Sequence, residues 1–230
     1  ITFLTSGYDG NISGTDISIA DYWIWKFANQ LDDDYSAWQH VRSTGTISAA
    51  EGYTMKGVTD TGGNVIFEQN YTFIGKPNNA VISLTLNAGN DYLVGNPYPS
   101  AIDALQFIQD NGPELDYTDP GGATETDPLI SGTLYFWDHW GGGSHNLGEY
   151  LGGYATYNYS GAVAAAAMGT NDPDVGTGGT PIYLPTRYIP VGKGFFVVGE
   201  NTGTINFNNG QRVFQKEGAA SSVFVRNFNG

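Results

Sequence analysis

The chain has 230 residues, including 33 glycines, 10 prolines and 14% aromatic residues, and its nine Lys and Arg against 23 Asp and Glu leave a formal net charge of −14. That length suffices for a self-supporting core, and rings and turn formers with few charges predict short strands rather than long helices. The acidity argues against nucleic acid and anionic membranes as partners, the lack of cysteine excludes disulfides and thiolate metal sites, and no run approaches the roughly 18 apolar residues of a membrane helix.

Asp16 to Ala28 and Tyr35 to Val41 carry Tyr22, Trp23, Trp25, Phe27, Tyr35 and Trp38, and predict ring-bearing strands on either side of the acidic turn Asp32-Asp33-Asp34. Trp23 and Trp25, two apart, are placed on one strand face and read as core. Gly52 to Val58 alternates like a half-buried strand, and Gly62-Gly63-Asn64 reads as a hairpin turn into Val65-Ile66-Phe67. Asn70 to Ile74 and Ala80 to Leu86 flank a turn-like Gly75-Lys76-Pro77-Asn78-Asn79, so the first ninety residues predict a meander. Asp91 to Gly95 is a short apolar strand stopped by Asn96-Pro97. Ser100 then fits a helix N-cap with Asp103 three residues on, and Ile102, Leu105 and Ile108 give an apolar stripe ending at Asp110-Asn111-Gly112-Pro113.

Glu114 to Pro128 reads as an exposed loop. Thr133 to Asp138 and Tyr150 to Tyr159 return to strand character around the glycine loop Gly141-Gly142-Gly143-Ser144. Ala162 to Ala167 is a candidate helical turn, and Asn171 to Pro181 another glycine-rich loop. Tyr188 to Val198, Gly203 to Phe207, Arg212 to Phe214 and Ser222 to Arg226 complete the set of predicted strands.

No stretch carries a catalytic signature. Asp138-His139 with His145 lacks the Glu of H-E-x-x-H, and Gly143-Ser144-His145 lacks the second glycine of a nucleophile elbow. Acidic loops, above all Asn171-Asp172-Pro173-Asp174, offer oxygen ligands for a structural Ca²⁺, with Asp172 and Asp174 as the candidate ligands. Trp137 and Trp140, with Tyr154 and Tyr157, are the candidate ligand-binding residues, because sugar C–H faces pack on aromatic rings.

Several blocks in fixed order carry a resemblance. They are Gly95-Asn96-Pro97-Tyr98-Pro99-Ser100-Ala101-Ile102-Asp103, Leu134-Tyr135-Phe136-Trp137-Asp138, Gly152-Gly153-Tyr154-Ala155-Thr156-Tyr157-Asn158, Ile189-Pro190-Val191-Gly192-Lys193-Gly194-Phe195-Phe196-Val197 and Phe207-Asn208-Asn209-Gly210-Gln211-Arg212. From about Tyr53 to Phe224 the chain resembles a region of large secreted proteins of Bacteroidota, one that commonly precedes a C-terminal type IX secretion sorting domain. Lys193 stands where that family usually has Gln, and Gly210 where it often has Ser. The resemblance implies export to the cell surface or beyond and brings no catalytic residues with it.

Residues and resemblance together predict an all-β sandwich, jelly-roll-like, with one short helix near residues 100–110. Residues 1–230 are expected to form a single domain of a longer secreted polypeptide. The expected role is a non-catalytic structural or adhesive module of an extracellular surface protein, partnered by neighbouring domains or chains. The alternative is a carbohydrate-binding accessory module of a polysaccharide-degrading enzyme. No cofactor is required beyond the possible structural Ca²⁺, and neither nucleic acid nor membrane insertion is expected.

Overall fold

Side chains alternate between the two faces of a strand, and in the computed structural model, which describes residues 2–13, 16–32, 34–59, 71, 74–114, 127–141, 151–165 and 184–216, this alternation defines the layers. In chain order the strands are β1 (Thr2–Leu4), β2 (Gly10–Ser13), β3 (Asp16–Ala20), β4 (Trp25–Lys26), β5 (Gln30–Leu31), β6 (Gln39–His40), β7 (Val58–Thr59), β8 (Ile82–Leu86) and β9 (Asn90–Gly95). There follow β10 (Ala101–Asp103), the helix α1 (Ala104–Asn111), β11 (Leu134–Gly141), β12 (Leu151–Asn158), β13 (Gly161–Val163), β14 (Tyr188–Ile189), β15 (Gly194–Val198), β16 (Gly203–Phe207) and β17 (Arg212–Val213).

An antiparallel six-stranded sheet runs β13-β12-β11-β15-β9-β5. Its inner face presents Tyr92, Val94, Leu134, Phe136, Tyr157, Phe195 and Val197 to a second layer made of the β8–β16 pair, the β14-β10-β17 ladder and α1. Phe107 of α1 meets Phe195 edge-on at 5.4 Å, and Phe136 lies 5.5 Å from Phe195. The architecture is an all-β sandwich, with one short α-helix among the described residues. Nearer the N-terminus, the sheet β1-β3-β2-β7 has its own small cluster of Ile17, Ile19 and Val58.

The two proline-glycine blocks meet at one buried side chain. Asn96 donates from Nδ2 to the carbonyls of Ser100, Ile189 and Pro190 at 2.8, 3.2 and 3.2 Å, and its Oδ1 accepts from Tyr98 N–H at 3.0 Å. Its backbone N–H reaches Lys193 O, so both corners share one hydrogen-bonded knot. A second knot ties α1 to β16: Asn111 bonds Phe107 O, Asn206 O and Asn206 N–H. Fully buried Gln211 reaches Asp110 and Asn206 O, and accepts from Asn208 N–H.

Several expectations are corrected. The helix starts three residues later than the capping pattern placed it: Ala101–Asp103 is a strand, in which Ile102 pairs with Ile189 on one side and Arg212 on the other. Asp103 is therefore the N-cap, accepting from Leu105 N–H at 3.0 Å, while Ser100 Oγ accepts from Arg212. The first ninety residues are not a meander, since β8 pairs with β16, more than a hundred residues away. Of 52–58 only Val58 is in a strand, and the Gly161–Val163 segment extends the six-stranded sheet as its edge, where a helical turn was expected from Ala162. Trp23 and Trp25 are separated by the end of a 3-10 turn over Asp21–Trp23, so they do not share one strand, and both are half-buried. The predicted elements at 62–67 and 222–226 lie outside the described residues.

Candidate binding face

The outer face of the six-stranded sheet is unusually aromatic, and the register says why. Tyr135 stands opposite Thr156 and Phe196, and Trp137 opposite Tyr154. Residues two apart share a face, so Tyr135, Trp137, Tyr154, Thr156 and Phe196 all point away from the core. Trp137 and Tyr154 meet edge-on with centroids 5.2 Å apart, and Tyr154 is perpendicular to Phe196 at 5.8 Å. From the N-terminal third, Phe27 and Trp38 come down on Phe196 at 5.7 and 6.0 Å and on each other at 5.4 Å. The β9–β15 side of the face is thus covered, whereas Tyr154 remains 39% exposed.

A glycine permits this arrangement. The Trp137 benzo ring, at Cζ2 and Cη2, lies across the place that a side chain on Gly152 would take. The Gly152-Gly153 pair sits inside β12, where the first glycine gives the indole its seat.

The other end of the face is acidic. Burial pushes the Tyr135 phenol above its ordinary value, and the charges of Asp91, Asp32 and Glu200 push it further. Asp32 and Glu200, both exposed, lie just past the ends of β5 and β15, and Asp91 pairs with Val198 and Gln30 at that same end, so carboxylates border the aromatic floor beyond Tyr135.

Of the sequence candidates, Trp137 and Tyr154 are brought together on this face. Tyr157 is not: an odd number of residues from Tyr154, it faces inward, is 7% exposed and belongs to the core. Trp140 lies on β11, at the irregularity between His139 and Gly141, with its side chain outside the described residues. Asp172 and Asp174 also fall outside them, and among the described residues no three His, Asp or Glu side chains are grouped to hold a metal ion. Sequence reasoning missed Trp38, Phe196 and Tyr135 as members of the face. Alternation in 194–198 was the available signal for Phe196, whereas the crossing of Trp38 over it is a tertiary event.

Buried and half-buried carboxylates elsewhere act as clamps. Glu51 accepts from Lys26 Nζ at 3.0 and 2.9 Å, from Ser48 N–H at 2.7 Å and from the Tyr92 hydroxyl at 3.1 Å. Burial pushes its carboxyl up, but these donors outweigh it and hold the group below its ordinary value. Asp21 is likewise pushed up by burial, but Ser43, Arg42 and His40 together outweigh that and hold it below its ordinary value. Asp103 takes Arg187 in a two-pronged pair, Nε at 2.9 Å and Nη2 at 2.6 Å. Lys193 has its amine pushed down by burial, with Asp138 opposing. A shallow groove of about 230 Å³ between Pro99, Pro190, Val213 and the exposed Phe214 is lined mainly by apolar side chains.

Over residues 10–229 the chain matches the family described as Domain of unknown function (DUF8693), and it belongs to that family. No curated protein and no solved structure matches it.

Proposed function

We propose that this chain is a non-catalytic structural and adhesive module of a secreted cell-surface protein, exported by the type IX route that its motifs resemble. One observation carries the reading: Asp21, Glu51 and Asp103, three carboxylates the fold draws away from water, are each engaged by partners that join separate chain segments. A general acid or base needs a free face toward a substrate, whereas Glu51 and Asp103 spend their hydrogen-bonding capacity on Lys26, Ser48, Tyr92, Leu105 and Arg187, and Asp21 is held by Ser43 through one oxygen and by the Arg42 charge at the other. The acidic surface suits a soluble, repulsive exterior in a crowded envelope.

Brief protease treatment of intact source cells tests the location. Peptides of this chain should be released while cytoplasmic marker proteins stay intact, and release only after lysis would overturn the surface assignment. The purified chain should also release no reducing ends from polysaccharides, and turnover by it would overturn the non-catalytic assignment.

A further inference from the structure

We propose that the outer face of β11 and β12 binds a neutral glycan chain, with Trp137 and Tyr154 beneath the sugar rings and Trp38 as the side wall; the proposal rests on the adhesive reading above. A pyranose ring offers apolar C–H faces and a rim of hydroxyls, so it needs aromatic rings set beside hydrogen-bond acceptors. The face supplies both. Trp137 and Tyr154 form its open aromatic part, and the Tyr135 hydroxyl leads into a border that includes the exposed Asp32 and Glu200.

The rings are held before any ligand arrives. Edge-to-face contacts link Tyr154 to both Trp137 and Phe196, and Gly152 leaves Trp137 no neighbouring side chain to displace. Little rotamer freedom is left to lose on binding, the circumstance in which aromatic residues give the most affinity for their area.

Charge narrows the occupant. Carboxylates at the end of the face and a net charge of −14 repel uronate-bearing, sulfated or phosphorylated glycans. The same charge on both partners opposes a second copy of this chain. A neutral chain of hydroxyl donors meets neither penalty, and its hydroxyls find acceptors in the carboxylates.

Affinity electrophoresis of the full chain tests this, in native gels cast with hydroxyethylcellulose, xyloglucan or galactomannan and with alginate as the anionic counterpart. At least one neutral polymer should retard the protein, and alginate should not. Trp137→Ala with Tyr154→Ala should weaken retardation at least tenfold, and Tyr135→Phe a few-fold. Tyr154→Ala alone, at the most exposed ring, should weaken it several-fold and serves if the double variant does not fold. Migration unchanged by all three neutral polymers overturns the proposal, as does retardation indifferent to these substitutions or equal retardation by alginate. So does a ring-dependent dimer in sedimentation, which would make a second copy the occupant. Reducing ends released from the same polymers would instead overturn the non-catalytic reading, so the two failures are distinguishable.

Discussion

Asn96 follows a glycine and precedes a proline, and its short amide does what no loop composition reveals: it satisfies carbonyls from two segments about ninety residues apart. Removing it takes a donor from all three carbonyls, of which Pro190 O still keeps Lys193 N–H, and each buried acceptor left short costs about 1–3 kcal/mol where water cannot enter. Asn96→Ala is therefore expected to lose about 3 kcal/mol in urea unfolding. Asn96→Asp separates hydrogen bonding from shape. The carboxylate still accepts from Tyr98 N–H but faces three carbonyl oxygens in a buried setting, which raises its pKa in the folded state. Its loss should be at least as large at pH 7 and should shrink as the pH falls through the carboxylate range and the group takes a proton. Equal stability of both variants at pH 5 and pH 7 would show that the side chain is filling space and not binding the corners.

At the scale of elements, the outer face depends on one pairing, Trp137 with Tyr154 on neighbouring strands, and on the glycine two residues before that tyrosine. Gly152→Ala puts a methyl group where the indole rests and close to the Asp138 carbonyl, so Trp137 must swing outward. Forced overpacking of this kind costs about 1–3 kcal/mol. The expected outcome is a lowered melting temperature with red-shifted tryptophan emission, and an unchanged spectrum would mean the ring has another seat. How legible these elements were follows from the range of the forces that set them. Strands near Asp91–Gly95, Thr133–Asp138, Tyr188–Val198 and Gly203–Phe207 were readable, because alternation and flanking Gly and Pro are local signals. The helix was found but begun too early. Ser100 to Asp103 carries a good local capping pattern, yet Ile102 gains a ladder on both sides with β14 and β17, and that distant pairing takes the first turn away from the helix. Of the candidate face, Trp137 and Tyr154 were visible. Trp38 and Phe196 were not, since their contact joins segments that no periodicity relates, and Tyr157 was misassigned through counting rings without counting strand parity.

For the whole molecule, charge acts in two ways that pH and salt separate. Between pH 7 and about 5 the exposed carboxylates repel one another, and partial protonation as the pH falls toward the sequence pI of about 4.2 relieves that repulsion. This part of the profile rests on solvated charges and should flatten in about 0.5 M salt, where screening reaches only a few ångströms. Glu51 and Asp21 behave oppositely. Both are held below their ordinary values in the fold, so the unfolded chain binds protons more readily than the folded one. Their contribution is fully present above the ordinary carboxylate pKa of about 4 and is lost as the pH falls below it, through the folded-state values. The Glu51 partners are close and shielded, its side chain being 7% exposed, so salt should leave this limb in place. Melting temperatures from pH 3 to 8 should thus show a shallow rise toward pH 5 that salt removes, and a steep fall below pH 4 that salt does not. Glu51→Gln cannot titrate, so it should start less stable at pH 7 and descend less steeply in acid. A variant whose acid limb keeps the parent slope would place the acid-sensitive groups elsewhere and leave the Lys26–Glu51–Tyr92 clamp as packing alone.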